Sequence, residues 1–228
     1  MSGGAGLPPG QTAIDTFPRF GVPAYADRWP TIPAPPVLAI GGLVETPVSL
    51  PLHALDALPR RELVADFHCV TTWTRRGLRW SGYLLSDVLD ALIVPQARPG
   101  LAALYIQFVS LDGYKCCIDC RDVDAQTLLA DRLDGAPLPL EHGAPLRVVA
   151  PALYGYKNPK HICGIDFLAD YARSRAERQT LAHSRGRAAH EERGRFLPGW
   201  AYRRLYRAFI ARTLAHYERA AERRLAPS

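Results

Sequence analysis

The feature that most constrains this chain is the stretch from residue 66 to residue 82, in which a lone cysteine follows a β-prone run. Residues 63–67 predict a strand, and Cys69 stands just beyond it, at the predicted start of a loop. Two tryptophans and three arginines follow closely, namely Trp73, Trp80, Arg75, Arg76 and Arg79. A thiolate is a soft metal ligand, and nearby cations lower the pKa of a thiol, so Cys69 is a candidate metal ligand. The alternative is a buried apolar cysteine.

Composition places the chain among ordinary globular proteins. Of its 228 residues, 48% are hydrophobic and 22% are charged, which excludes wholesale disorder. No run of about eighteen apolar residues predicts a membrane-spanning helix, and residues 1–6 lack the basic and apolar regions of a signal peptide. The cysteines, three of which lie within residues 116–120, do not form the pattern of a secreted disulfide framework. We therefore expect a cytoplasmic protein with reduced thiols.

The net charge of +6 is unevenly distributed along the chain. The C-terminal segment, residues 171–228, holds 14 arginines against five glutamates, a net charge of +9, which leaves −3 for residues 1–170. Such a basic segment is typical of a surface that binds an acidic partner, a nucleic acid or an anionic membrane. A cofactor-free binding or adaptor protein that acts through this segment is therefore one interpretation of the sequence.

Short predicted strands with interspersed helices, and no repeating βαβ pattern, indicate a mixed α+β fold. The predicted strands are residues 37–40, 47–50, 63–67, 104–109, 114–118, 146–150 and 161–167. The predicted helices are residues 51–58, residues 87–93 with Ser86 as N-cap, and residues 125–130, 171–183 and 198–224. The last helix has an apolar stripe formed by Trp200, Leu205, Phe209, Ile210, Leu214 and Tyr217. We expect this stripe to dock on the body of the protein or on a second subunit.

The cysteine stretch and several later sequence motifs together resemble the sulfite oxidase family, in particular its short bacterial molybdopterin-dependent oxidoreductases. The matching phrases are residues 69–74, 79–82, 112–114, 133–139, 142–147 and 154–160. They occur in the order expected for the family, and the resemblance extends from about residue 20 to residue 168. It implies the sulfite oxidase fold, a mixed α+β fold with barrel-like sheet.

The resemblance also implies a Mo-molybdopterin cofactor. In the family one cysteine is the only protein ligand to molybdenum, and Cys69 matches it. The expected contacts to the pterin and its phosphate come from Ser110, His142, Arg147, Asn158, Pro159 and Lys160. Pro159 departs from the family pattern because it offers no backbone N–H. Residues 19–23 match, loosely, a phrase that lies against the cofactor in relatives.

Oxygen-atom transfer to or from a small sulfite-like or sulfoxide-like substrate is the activity that the resemblance implies. Arg75 and Arg76 are then the candidates for drawing an anionic substrate toward the metal, although solvated loop charges explain them as well. The chain has no haem-binding or flavin motif, so electrons must be exchanged with a separate partner protein. A homodimer formed through the C-terminal helix is a further expectation, and the chain offers no nucleic-acid-binding motif.

Three parts are expected: a Pro- and Gly-rich lead-in (residues 1–36), the molybdopterin-binding catalytic domain (residues 37–170) and a basic helical extension (residues 171–228). The lead-in should lack regular structure because its prolines remove hydrogen-bond donors. The cluster of Cys116, Cys117 and Cys120, with Cys163, is open to two interpretations. Small buried side chains are favoured over a zinc site, because a strand turns residues three apart to opposite faces.

Overall fold

The computed structural model describes residues 6–225, and in it two β-sheets pack together. The strands are β1 (Thr12–Ile14), β2 (Val37–Gly42), β3 (Val48–Pro51), β4 (Arg61–His68), β5 (Trp73–Leu84), β6 (Tyr105–Ser110), β7 (Lys115–Asp119), β8 (Leu128–Leu133), β9 (Ala136–Pro137), β10 (Arg147–Val149) and β11 (Ile162–Leu168). The first sheet has the order β1-β5-β8-β10, with β4 paired to β5 and β9 to β8. The second has the order β3-β2-β11-β6-β7.

Both sheets are mixed. In the first, β1 runs parallel to β5, whereas β4 and β8 are antiparallel to it. In the second, β11 is parallel to β2 and antiparallel to β6. The predicted α+β class is therefore confirmed, but the expected barrel-like closure is not seen, because within residues 6–225 the strands form two separate open sheets.

The main core lies between the sheets, and alternating residues of each strand supply it. Leu38 and Ile40 of β2 and Ile165 of β11 are almost fully buried there, opposite Leu129 of β8 and Val148 of β10. A smaller cluster covers the other face of the first sheet and consists of Leu78, Trp80, Leu128, Ala130, Leu138 and Val149. Neighbouring residues of β8 thus point to different clusters, as the pleat of a strand requires. The first half of β8 is therefore buried on both faces.

That burial explains one wrong prediction. The sequence favoured a helix at residues 125–130, but Leu128–Leu133 is strand β8. A short apolar run has no periodicity that separates a buried strand from a helix. Pairing with β5 on one side and β10 on the other decides the outcome.

Helices are few in the body. Residues 85–97 form one continuous helical stretch, made of α1 (Leu85–Val88), a π-helical turn (Leu89–Ile93) and α2 (Val94–Ala97). The expected N-cap at Ser86 is wrong, since the helix begins at Leu85 and no side chain caps it. Residues 51–58 form a 3-10 helix, Leu52–Ala57, in place of the predicted α-helix.

The C-terminal segment contains α3 (Arg175–Thr180), α4 (Gly199–Arg207) and α5 (Ile210–Leu225). Ser174 caps α3 through a capping box with Glu177. The single helix predicted for residues 198–224 is therefore two helices, separated at residues 208–209. The expected docking is seen only in part: Tyr217 and Ala220 of α5 are buried against Ala26, whereas Trp200, Leu205 and Phe209 of the predicted stripe are exposed. No helix among the described residues is long and apolar enough to span a membrane.

The lead-in is more ordered than its prolines suggested. Strand β1 pairs residue by residue with the start of β5, Thr12 with Trp73 and Ile14 with Arg75. A 3-10 turn follows at Pro23–Tyr25, and α5 packs against it. The expectation of a lead-in without regular structure was wrong at these two places, because tertiary contacts complete hydrogen bonds that the local sequence cannot.

Candidate active site: a buried thiol and buried cations in one cavity

Cys69 lies in a four-residue loop, residues 69–72, that joins the antiparallel strands β4 and β5. Its amide donates to the carbonyl of Trp73 at 2.8 Å, and the amide of Thr72 donates to the carbonyl of Cys69 at 3.2 Å. The thiol is buried, with Sγ 3.1 Å from Oγ1 of Thr71. Burial raises the pKa of the Cys69 thiol to about 11, and the Thr71 contacts and the positive charge of Arg193 oppose that shift. Without a metal the thiol is protonated at neutral pH.

A cavity of about 470 Å³ opens beside this loop. Six residues predicted for the site line it: Cys69, His142, Arg147, Asn158, Pro159 and Lys160. These residues come from the β4–β5 loop, the turn before β10 and the loop before β11. The structure therefore brings the candidate metal ligand and most of the expected cofactor contacts into one chamber.

Arg147, the first residue of β10, is a fully buried cation in the wall of this cavity. Among residues 6–225, its guanidinium donates only to backbone carbonyls, including those of His142 at 2.9 Å and Asn158 at 3.3 Å. It also lies over the ring of Trp80 at 4.7 Å from the centroid. Burial lowers the pKa of Arg147 to about 9. A buried cation without a carboxylate partner is costly, so an anion bound in the cavity would stabilise it.

Lys160 adds a second cation. Its Nζ donates to the carbonyl of Glu141 at 3.0 Å, and part of the side chain faces the open cavity. Burial, and then the charges of Arg147 and Arg19, lower the pKa of Lys160 to about 7. Together with Arg147 it makes this end of the cavity electropositive. A bound phosphate would raise both pKa values again.

Two histidines in this region are held neutral. Burial is the main cause that lowers the pKa of His142 to about 3 and that of His161 to about 4, and nearby cations add to it. His161 Nδ1 is 2.7 Å from the carbonyl of Ala144, and the ring of His142 stacks on Phe17 with centroids 4.5 Å apart. Neutral imidazoles can donate or accept a hydrogen bond with a polar ring system.

Asn158 and Pro159 form part of the cavity wall but offer few hydrogen-bond donors to a bound anion. The Asn158 side chain accepts from the amide of Ala150 at 2.6 Å and donates to the carbonyl of Tyr154 at 3.1 Å, so it is used internally. The Pro159 carbonyl accepts from the amide of Val148 at 2.9 Å. An anion here would contact cationic side chains before backbone amides.

Three predicted residues lie elsewhere. Ser110 is buried at the end of β6 and does not line the cavity. Arg75 and Arg76 belong to strand β5, not to a loop, and do not line the cavity either. Arg75 donates to the carbonyl of Arg76 at 2.5 Å, and Arg76 lies 3.5 Å from the carboxylate of Asp66. The expected arginine-rich loop is therefore a strand at these two residues, and their role toward a substrate stays a prediction.

His68 precedes Cys69 in the chain. It is buried at the end of β4, and its Nδ1 lies 2.9 Å from the hydroxyl of Thr74.

Cys116 and Cys117 are buried in β7, whereas Cys120 is exposed at the start of a 3-10 turn. Among residues 6–225, no group of three or more His, Cys, Asp or Glu side chains is placed to hold a metal ion.

The cavity also has a wall that the sequence did not predict. Residues of the lead-in and of the C-terminal segment form it, including Arg19, Phe20, Tyr202, Leu205, Tyr206, Phe209 and Tyr217. Arg19 is buried, donates to the carbonyl of Ala26 at 2.6 Å and lies 3.7 Å from the ring centroid of Trp29. Residues 19–23 were singled out in the sequence. The α4 and α5 residues were expected only to dock, since an apolar stripe indicates burial but not what it faces.

These residues fit an anionic, metal-bearing cofactor. The single thiol of Cys69 offers one metal ligand, so the other ligands must be brought in by the cofactor. The cations of Arg147 and Lys160 suit a phosphate group of that cofactor. An α+β oxidoreductase that binds a phosphorylated metal cofactor is the class that this site defines. The chain belongs to the family described as "Oxidoreductase molybdopterin binding domain", which matches residues 30–176. The cofactor of this family is Mo-molybdopterin.

Curated relatives agree with that assignment. The chain is 35% identical to the oxidoreductase YuiH of Bacillus subtilis over 167 residues, which cover 71% of this chain and 78% of YuiH. It is 33% identical over 176 residues to the protein-methionine-sulfoxide reductase catalytic subunit MsrP of Xanthomonas axonopodis, covering 69% of this chain and 53% of MsrP. With Arabidopsis thaliana sulfite oxidase the identity is 28% over 164 residues, 58% of this chain and 42% of that enzyme.

Among solved structures, the sulfane dehydrogenase SoxCD of Paracoccus pantotrophus is similar, with a TM-score of 0.53. The sequence identity is 20%, and the match covers 67% of this chain and 43% of that one. This likeness shows a shared fold. The chain thus spans about half or less of the length of several relatives.

Proposed function

We propose that this oxidoreductase catalyses oxygen-atom transfer to or from a small oxo-substrate and exchanges electrons with a separate partner protein. The observation that supports the proposal is one cavity that contains a buried thiol, Cys69, and two cations, the buried Arg147 and the half-buried Lys160, for which residues 6–225 supply no carboxylate partner. The bound cofactor would supply the two-electron redox chemistry. The family assignment does not favour a cofactor-free adaptor.

Each side chain then has a physical role. Cys69 ligates the metal as a thiolate. Because burial raises the pKa of its thiol to about 11, metal insertion must release a proton. Arg147 and Lys160 would hold the anionic end of the cofactor, and His142 would offer a neutral ring in the cavity wall. Arg75 and Arg76 lie outside the cavity, so charge screening of the substrate would fall to Arg19.

The apolar part of the cavity wall supports a substrate with an apolar part. Phe20, Trp73, Tyr206 and Phe209 line the same cavity as Cys69. A bare oxyanion such as sulfite gains little from such rings, whereas the alkyl or aryl groups of an organic sulfoxide would be buried against them. We therefore propose sulfoxide reduction, in which R₂SO with two electrons and two protons gives R₂S and water. MsrP, a relative by sequence, is named for such a reaction.

The domain plan follows from the same geometry. We propose that residues 37–170 form the cofactor-binding domain, and that residues 1–36 and 171–228 complete the cavity around it. We also propose a cytoplasmic location, because the cysteines of the described chain are all free thiols. Cell fractionation with immunodetection would test the location. A homodimer is a separate expectation, which light scattering of the purified protein would check.

The decisive experiment is elemental and pterin analysis of protein made in a molybdenum-replete host. We expect about one molybdenum and one pterin per chain, and reduction of an aryl methyl sulfoxide with reduced viologen as donor. C69S should lose the sulfur-to-metal absorption and the activity. R147M should purify with several-fold less pterin, because the phosphate loses its buried partner. R79M, at an exposed arginine of β5, is the matched control. Wild-type protein without molybdenum would refute the proposal.

A further inference from the structure

The cysteine loop is strained. Thr72 has φ of 98°, in the left-handed region that β-branched residues avoid. Such a conformation persists only where surrounding contacts outweigh its cost, and it is common at functional sites. Contacts from other parts of the chain keep residues 69–72 in this conformation.

Two sets of contacts from outside the β4–β5 hairpin clamp the loop. The first comes from the lead-in: Gln11 Nε2 donates to the carbonyl of Cys69 at 3.0 Å, and the amide of Thr12 donates to the carbonyl of Thr72 at 2.9 Å. The second comes from Arg193, which lies far along the chain in the C-terminal segment. Its Nη1 donates to the carbonyl of Val70, the residue next to Cys69.

Arg193 is placed as a fixed brace. The side chain is fully buried, its Nη2 donates to the carbonyl of Pro9 at 2.9 Å, and its guanidinium lies 5.1 Å from the ring centroid of Tyr154. Nε lies 3.2 Å from the carboxylate of Glu191, which also pairs with Arg203 at 2.8 Å. One guanidinium thus connects the cysteine loop, the lead-in and the C-terminal segment. Its planar fork suits this geometry better than an ammonium group would.

We propose that Arg193 is a positioning residue for Cys69: it fixes the strained loop so that the thiol faces the cavity. This residue lies outside the range, residues 30–176, that matches the family, so it is supplied by the segment added to that domain. The part of the proposal that concerns metal ligation rests on the proposed function. The part that concerns the loop does not.

Amide hydrogen exchange of the metal-free protein tests the loop directly. The amides of Cys69 and Thr72 are both hydrogen-bonded within the loop, so their exchange reports its opening. In R193M the peptide covering residues 66–76 should exchange at least about tenfold faster, while a peptide from β6 should not change. Glu191 keeps Arg203 as a partner in this variant. R195M is the control, because Arg195 is exposed and lies over Phe196.

A double-mutant cycle with T72G separates clamping from general destabilisation. Glycine adopts positive φ freely, so the loop in the T72G background needs less bracing, and adding R193M there should accelerate exchange much less. R193K should give an intermediate effect, because lysine can reach only some of the carbonyls. If R193M does not fold, the comparison of R193K in the two backgrounds decides.

Molybdenum content of the same variants tests the functional part. R193M should retain several-fold less molybdenum than R195M, and T72G should restore part of it. Equal loop exchange in R193M and wild type, or equal effects of R193M in both backgrounds, would overturn the clamp. If R193M exchanges faster at residues 66–76 but retains its full molybdenum content, Arg193 does not position Cys69 for metal ligation. Wild-type protein without molybdenum would overturn the proposed function and leave the clamp standing.

Discussion

At the scale of single residues, the site is governed by burial of ionisable groups. Arg147, Lys160, His142 and His161 all have a pKa below the usual value, and burial is the largest cause for each of them. An empty cavity therefore disfavours positive charge at every one of these side chains. A bound phosphate reverses that preference, so the metal-free protein should be the form most sensitive to pH.

The two histidines of the cavity contribute to the pH dependence of stability. Their folded pKa values, about 3 for His142 and about 4 for His161, lie below 6.5, so the unfolded chain binds more protons between these values. The free energy of unfolding of the metal-free protein should fall as the pH drops below about 6.5. Urea unfolding from about pH 7 to about pH 4 measures this slope, which H142N should reduce. H53N, at an exposed histidine, should leave it unchanged, and an equal slope in H142N would contradict the assignment.

At the scale of elements, the docking of α5 on the lead-in closes the cavity. Tyr217 stacks on Phe20 with centroids 6.4 Å apart, and its hydroxyl donates to the carbonyl of Val22 at 2.9 Å. Arg19 lies 4.9 Å from the centroid of the same ring. Gly21 permits this approach, since a Cβ at that position would lie 2.8 Å from the Tyr217 hydroxyl oxygen.

Two substitutions at Tyr217 should therefore destabilise the protein to different extents. Y217F loses one hydrogen bond and should cost about 0.5–1.5 kcal/mol of unfolding free energy. Y217A also loses the packed ring and should cost about 3–5 kcal/mol. Urea denaturation measures both, with R219A on the exposed face of α5 as control. A Y217A protein within about 0.5 kcal/mol of wild type would show that the docking is weak.

At the scale of the whole molecule, charge is divided between a body of net −3 and a C-terminal segment of net +9. The segment lines part of the cavity, and it carries exposed arginines, including Arg204, Arg212 and Arg219. Electrostatic steering of an acidic partner is strong at low ionic strength and is screened over about 10 Å at about 0.1 M salt.

Electron transfer from an acidic redox protein should therefore slow as salt rises. Stopped-flow rates between about 20 mM and about 200 mM salt would measure this dependence. The double variant R212E/R219E, at two exposed positions of α5, should lower the rate at low salt and flatten the dependence. R132E on β8 is the control. A rate that is independent of salt would mean that the basic segment does not guide the partner.

Much of this molecule could be predicted from local sequence. The strand before Cys69 and the strands around residues 37–50 follow from patterns that neighbouring residues set by themselves. The phrases around Arg147 and Lys160 allowed their shared site to be expected. The strands depend on propensity and alternation, which act over a few residues and are visible in one chain, whereas the shared site of Arg147 and Lys160 was expected from the family resemblance alone.

Only the tertiary structure decided the rest. Strand β8 replaced a predicted helix because β5 and β10 flank it, and Arg75 and Arg76 left the expected loop because β5 extends through them. Arg193 contacts a carbonyl 123 residues away, and the α4 and α5 residues meet the lead-in across the cavity. Contacts at such separations leave no local periodicity or spacing in the sequence. Which charge is buried, and against which loop, is fixed only when distant segments pack together.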